Sequence, residues 1–253
     1  MMKLLAAALL MGIVLMSLAA PLLAPHDPLE TVLEDQLQGP SSEHPLGTDF
    51  LGRDVMSRAL FGGRQTLLMA CAATMMASLI GLLLGLLAGY GNRWLDLFTS
   101  SLIDALLAAP GLLVALVILS IMGGGQSSVI VAVGIAGIAP FARTTRDAIT
   151  AIKQEPFVES AVSLGASEVR ILLIHILPNT RGVLMAFLGV TFSWALLNGA
   201  ALTFLGFIGD PNTPDWGVML AAGRQTFAVA PYEAMTAGVL LALTVGAVNQ
   251  LAR

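Results

Sequence analysis

Apolar residues in this chain run unbroken for the length of a membrane crossing, instead of recurring at the three-to-four-residue spacing of a helix wetted on one side. Runs near 4–24, 66–89, 97–121, 182–207 and 234–251 approach or exceed the roughly twenty residues that cross about 30 Å of hydrocarbon as an α-helix. A sixth stretch, 127–140, is short by itself, and becomes a span if its helix continues through Phe141 and Ala142 into Arg143 and Arg146. The pattern predicts an all-α, polytopic membrane protein of about six transmembrane helices. The first run also has features of a signal peptide, since Lys3 precedes it and Ala19 and Ala20 close it. It is longer than the apolar core of such peptides, about 7 to 15 residues, which favours a span.

Two polar stretches stand out between these runs, one from Pro25 to Gln65 and one from Arg143 to Thr180. Basic residues assign their sides. With the N-terminus inside, eight basic residues (Lys3, Arg93, Arg143, Arg146, Lys153, Arg170, Arg181 and Arg253) fall on inner segments. Four (Arg53, Arg58, Arg64 and Arg224) fall on outer ones, the bias expected of a cytoplasmic-membrane protein whose termini face the cytoplasm. Residues 1–65 then form a first span with an extracytoplasmic segment, and 66–253 a transmembrane core with a cytoplasmic loop at about 143–180. The outer segment holds Asp27, Glu30, Glu34, Asp35, Glu43, Asp49 and Asp54, so it is either a docking face for a partner or a solvated loop.

Composition strengthens the membrane reading. Charged residues make up 11% of the chain and hydrophobic ones 57%, with a mean hydropathy of +0.85, whereas soluble domains carry about 25% charged residues. The net charge of −4 is spread without blocks, which leaves no nucleic-acid surface. Cys71 is the sole cysteine, so neither a disulfide within the chain nor a cysteine metal cluster is available.

Several chemistries can be weighed directly. Lys3 and Lys153 are the only lysines and neither follows a glycine, so no phosphate-binding glycine-lysine loop exists and ATP is not bound by that route. Asp104 is the one acid well inside a span, read as a polar packing or capping residue, or as a proton relay in a secondary carrier. His26, His44 and His175 lie far apart in sequence, in or beside loops, so no catalytic or metal residues are assigned. Gly81, Gly85 and Gly89 recur every fourth residue and mark a close-packing face. Pro110 either kinks the third span or marks where substrate passes.

The inner loop is the most informative stretch. Pro156 suits a first helical turn, Phe157 to Leu164 continue it, and Gly165 sits where a chain leaving a helix needs positive φ. Ser167 then caps a second helix with Glu168 in its first turn, and Pro178 ends it. The predicted element is helix, sharp turn, helix: a surface for another protein's groove, or a hairpin lying on the membrane.

The sequence Glu159-Ser160-Ala161, then Gly165 and Ile176-Leu177-Pro178, resembles the EAA motif of ABC importer permeases, with Ser160 in place of an alanine and His175 at a usual isoleucine position. The resemblance implies a type I permease fold in which this loop is the coupling helix that docks on an ATP-binding subunit. A second set of motifs is similar to the second permease of dipeptide, oligopeptide and nickel importers: His44-Pro45-Leu46-Gly47-Thr48-Asp49, Leu51-Gly52-Arg53-Asp54, Gly63-Arg64-Gln65-Thr66-Leu67, Thr203-Phe204-Leu205-Gly206 and Asp215-Trp216-Gly217. It implies a pore-forming, non-enzymatic subunit in the cytoplasmic (inner) membrane. Its partners would be a homologous permease, two ATP-binding subunits that use the ATP, and an extracytoplasmic solute-binding protein, with no cofactor on this chain. A self-contained secondary carrier or channel is the alternative. The spans alone leave the cargo open between peptides and nickel or another metal chelate, and the short lead before the first span leans to the nickel branch.

Overall fold

The structure is a computed structural model that describes residues 1–208, 210 and 212–252. Among these residues there is no β-strand, only an isolated bridge between Thr48 and Asp54. The expected apolar runs all appear as helices. They are α1 (Met2–Leu18), followed by the short α2 (Ala20–Leu23), α3 (Val55–Tyr90), α4 (Arg93–Leu107), α5 (Gly111–Met122) and α6 (Gln126–Lys153). After α6 come α7 (Pro156–Ser163), α8 (Glu168–Arg170), α9 (Leu177–Phe204), α10 (Trp216–Thr226) and α11 (Tyr232–Ala252).

Among the described residues, four helices are long and apolar enough to cross a membrane unaided: α3, α6, the continuous run Glu168–Phe204, and α11. The remaining two of the six expected crossings take other forms. α1 has 17 residues, about 25 Å at 1.5 Å per residue, and α2 extends it past Ala19. The run at 97–121, expected as one span, is instead two helices, α4 and α5, bent by 87°. Pro110 is the cause, because it lacks an amide hydrogen and disfavours helical backbone at the residue before it. α4 ends at Leu107 with Ala108 as its C-cap, and α5 starts with Pro110 as N-cap.

α3 starts at Val55, well before the expected start near 66, because Asp54 caps it by accepting a hydrogen bond from Ser57 N at 2.7 Å. α6 runs through Arg143 and Arg146 to Lys153, so the short sixth stretch does become a full helix. α10 is an additional helix that hydropathy did not single out.

α3 and α6 form the spine of the fold through the glycine face predicted on α3. A Cβ built at Gly81 would lie 2.8 Å from Phe141 Cβ, one at Gly85 would collide with Thr145 Cβ, and one at Gly89 would lie 3.0 Å from Ile149 Cβ. Gly134 and Gly137 on α6 make the same close approach to Met76 and Ala77 of α3. Small residues let the two backbones approach, which maximises dispersion contacts where lipid removes any hydrophobic drive to associate. We therefore expect Gly85→Val to splay this pair and cost at least about 1 to 3 kcal/mol, read as loss of monodisperse protein in detergent. Gly246→Val should be silent, because no atom of the described residues lies within 4 Å of a Cβ there.

Around the spine, one buried cluster joins Ile13 of α1, Val55 and Leu67 of α3, Leu196 of α9, Trp216 of α10 and Leu241 of α11. A second joins α3, α5, α6 and α9 through Met69, Leu119, Val133 and Ala195. Opposite ends of the bundle carry different polar structures. At one end the chain between α2 and α3 meets the α9–α10 connection; at the other, α7 and α8 lie against the ends of α3 and α6.

Candidate functional site

α7 and its turn are built as the sequence predicts. Pro156 opens the helix, and Gly165 leaves it with φ +78°. Gly165 N donates to Val162 O at 2.9 Å and Ala166 N to Ala161 O at 3.1 Å. This pair of bonds is a Schellman motif, which satisfies the last carbonyls of α7 and reverses the chain. Ser167 occupies the N-cap of α8 as expected, but its side chain makes no capping hydrogen bond.

Pro178 does not end the second helix as expected. A π-helical turn at Ile171–Ile176 precedes it, and the helix passes through Pro178 into α9. Proline removes one amide hydrogen and crowds the carbonyl four residues back, and a wider turn relieves both.

The hairpin is fastened to the bundle from one side. Val158, Ile171 and Ile176 are buried against Ile149 of α6, with Ala161, Ala166, Leu86 and Tyr90 packed around them. Tyr90 Oη donates to Glu168 O at 2.7 Å, and Lys153 Nζ lies 5.2 Å from the centre of the Tyr90 ring. The motif residues therefore divide in two. Ala161 and Ile176 seat the hairpin and Leu177 is half-buried, while Glu159, Ser160, Gly165 and Pro178 are exposed. Ser160 Oγ donates back to Pro156 O at 2.9 Å. The free side also presents apolar groups: Leu164 is 88% exposed at the tip, beside Val162 and Val169.

Just inside this end, α4 is tied to α6 by charge. Asn92 caps α4 by accepting from Trp94 N and Leu95 N. Asp96 accepts from Arg146 Nε at 2.9 Å and from its Nη2 at 3.3 Å. Asp104, weighed as a packing residue or a relay, pairs with Arg143, whose Nε also lies 3.9 Å from Asp147. Its side chain is thus one rung of a charge ladder that holds the bent α4 against α6.

The opposite end is organised by residues of the second motif set. Asp215 caps α10 by accepting from Gly217 N at 2.8 Å, and also accepts from Thr66 Oγ1 at 2.7 Å and Thr203 Oγ1 at 2.6 Å. Trp216 Nε1 donates to Ala59 O at 2.9 Å. Three helices meet at this aspartate.

Next to it, Arg53 Nε donates to Asp49 Oδ2 at 2.6 Å, and the wholly buried Arg58 donates to Pro28 O and Asn212 O. Arg58 Nε also faces Asp49 at 3.5 Å and Glu233 at 3.9 Å. Asp49 and Asp54, counted above among the acids of a possible docking face, are buried and structural; Asp27, Glu30, Glu34 and Glu43 are the exposed ones.

A bundle of apolar helices with a helical hairpin displayed at one end and a hydrogen-bonded cap at the other has the architecture of a membrane permease. Residues 81–251 match the family described as "Binding-protein-dependent transport system inner membrane component". The chain is 40% identical to a glutathione transport system permease protein of Pectobacterium atrosepticum over 233 residues, 92% of this chain and 77% of the relative. It is 35% identical to a dipeptide transport system permease protein of Alkalihalophilus pseudofirmus over 238 residues, 94% and 78% of the two chains.

The fold is similar to that of a methionine ABC transporter solved in an inward-facing conformation, with TM-score 0.64 and 19% identity over 77% of this chain and 92% of that one. It is also similar to an amino acid ABC transporter, with TM-score 0.63 and 21% identity over 77% and 91%. The chain belongs to the binding-protein-dependent transport family of inner membrane components. It is a permease subunit of an ABC importer, and so a transporter component and not an enzyme.

Proposed function

We propose that the cargo is a short peptide and that α7 is the coupling helix that receives the force of the ATP-binding subunits. The relatives named for glutathione and dipeptide transport support the peptide class over the nickel branch to which the short lead pointed. In this reading the N-terminus is cytoplasmic, a homologous permease completes the pore, two ATP-binding subunits sit beneath, and an extracytoplasmic binding protein delivers cargo to the opposite end. Glu159, Ser160, Ala161, Gly165, Ile176, Leu177 and Pro178 form the coupling set. Ala161 and Ile176 act as the seat, and Glu159, Ser160 and the Gly165 turn face the motor.

The observation that carries the assignment is the almost complete exposure of Leu164 on a hairpin whose other side is firmly packed. An apolar tip on a rigid base is what a groove in a soluble partner requires. An anchor residue at the centre of an interface contributes about 2 kcal/mol or more, so Leu164→Asp should weaken the association with the ATP-binding subunit by roughly 30-fold. Co-purification from membranes and peptide uptake should fall together, with the permease itself present at normal level. Full association in Leu164→Asp would reject α7 as the docking element.

A further inference from the structure

The two histidines of the outer cap, 18 positions apart in sequence, are brought into contact by the path of the chain. The His26 and His44 rings have centroids 4.7 Å apart and tilted by 33°. Beside both rings lies the carboxylate of Asp54, the cap of α3. His44 Nδ1 lies 3.0 Å from Asp54 Oδ1, and His26 Nδ1 lies 4.0 Å from the same oxygen. One ligand atom from each of the three residues falls within 4.8 Å of the others.

Tetrahedral zinc bound at about 2.0 to 2.2 Å separates its ligands by roughly 3.4 Å, so these spacings bracket the required geometry and close on it with small rotations of the rings. We propose that His26, His44 and Asp54 form a binding site for a divalent transition-metal ion of the zinc class, a role separate from the coupling function of α7.

Four observations carry the site. His26 Nδ1 is buried and has no hydrogen-bond partner among the described residues, although its side chain is 31% exposed and so gives an ion a path in. The His26 backbone is fixed where it is needed, its amide donating to Ser57 Oγ at 3.1 Å in the first turn of α3. His44 is held by a tight turn in which Gly47 N and Ser41 N both donate to His44 O at 2.9 Å.

The fourth observation is an outer carboxylate. Asp35 Oδ2 lies 4.0 Å from His44 Nε2, positioned to orient the ring that would present Nδ1 to metal, as partner carboxylates do for metal-bound imidazoles. Two imidazoles and one carboxylate select borderline ions such as zinc over magnesium or calcium, which favour oxygen. Such an ion would pin the end of the first helical segment, the 41–47 turn and the start of α3 to one point.

The test uses the full chain purified in detergent with a histidine-free tag, loaded with zinc sulfate and dialysed. Zinc should remain equimolar with the chain. His26→Gln, which leaves the backbone bond to Ser57 untouched, should weaken zinc binding by more than the roughly 10- to 100-fold that loss of an outer partner costs, and Asp35→Asn should fall within that range. X-ray absorption of the loaded natural chain should show two imidazole ligands at about 2.0 to 2.1 Å with an oxygen shell; this measurement does not depend on any variant folding. Zinc well below equimolar, unchanged binding in folded His26→Gln, or an all-oxygen shell would each overturn the site and leave a hydrogen-bonded histidine-aspartate pair.

Discussion

Gly165→Val should lower peptide uptake by roughly 5- to 150-fold while leaving the permease inserted at near-normal level. The magnitude follows from one dihedral angle. Gly165 holds φ +78°, where a β-branched residue is strained by roughly 1 to 3 kcal/mol, and no atom of the described residues lies within 4 Å of a Cβ there. The penalty is therefore purely conformational. It falls on the turn whose two hydrogen bonds close α7, so the population with α7 correctly aimed shrinks while the spans keep their packing. Gly165→Ala should be milder. Uptake per inserted permease and co-purification of the ATP-binding subunit are the two readouts, and normal values of both in Gly165→Val would detach the turn from coupling.

Asp215→Ala should strongly destabilise the cap opposite the hairpin. The cap of α10 is lost at about 1 kcal/mol. The buried Thr66 hydroxyl loses its acceptor at a further 1 to 3 kcal/mol or so, and a cavity opens where α3, α9 and α10 meet. A loss of about 3 to 5 kcal/mol in total should lower the thermal midpoint in detergent by roughly 10 °C and reduce accumulation in the membrane. Thr203 suffers less, because its hydroxyl also reaches Ala200 O at 3.1 Å. Asp215→Asn should retain most of the stability, since an amide oxygen still caps the helix and a threonine hydroxyl can turn to accept from the amide nitrogen. Equal instability of the alanine and asparagine variants would show that charge, not hydrogen bonding, holds the hub.

What the sequence made legible were features set by local rules. Span positions follow from apolar run length, and the α3–α6 contact face from glycine spacing. The α7 hairpin follows from Pro156 and Gly165, whose backbone demands do not depend on the rest of the fold.

The misses share a different physics. Hydropathy measures how far a run would reach if straight, so it read 97–121 as one span; the kink weighed at Pro110 was the local signal of the break, and its right-angle size was not legible. Arg58, Arg64 and Gln65 made the start of α3 look like loop, yet Arg58 is buried among backbone carbonyls and carboxylates supplied from distant positions. The N-cap at Asp54, with Ser57 three residues on, was a usable local signal for the true start. Pro178 was read as a terminator because proline stops ordinary helices, and a π turn is the exception. The contact between His26 and His44 was not legible from their spacing, because the segment between them folds back on itself.

The length of α3 gives the molecule a mechanical property. Its 36 residues extend about 54 Å, and no proline interrupts them. Its first turn is anchored in the outer cap beside Asp54 and Arg58, and its last residue, Tyr90, is hydrogen-bonded to Glu168 under the hairpin. If α7 couples to a motor as proposed, a push at the hairpin would act on this uninterrupted helix. In the coupling reading proposed above, an unbroken helix would carry movement at the hairpin to the opposite cap as a change of tilt.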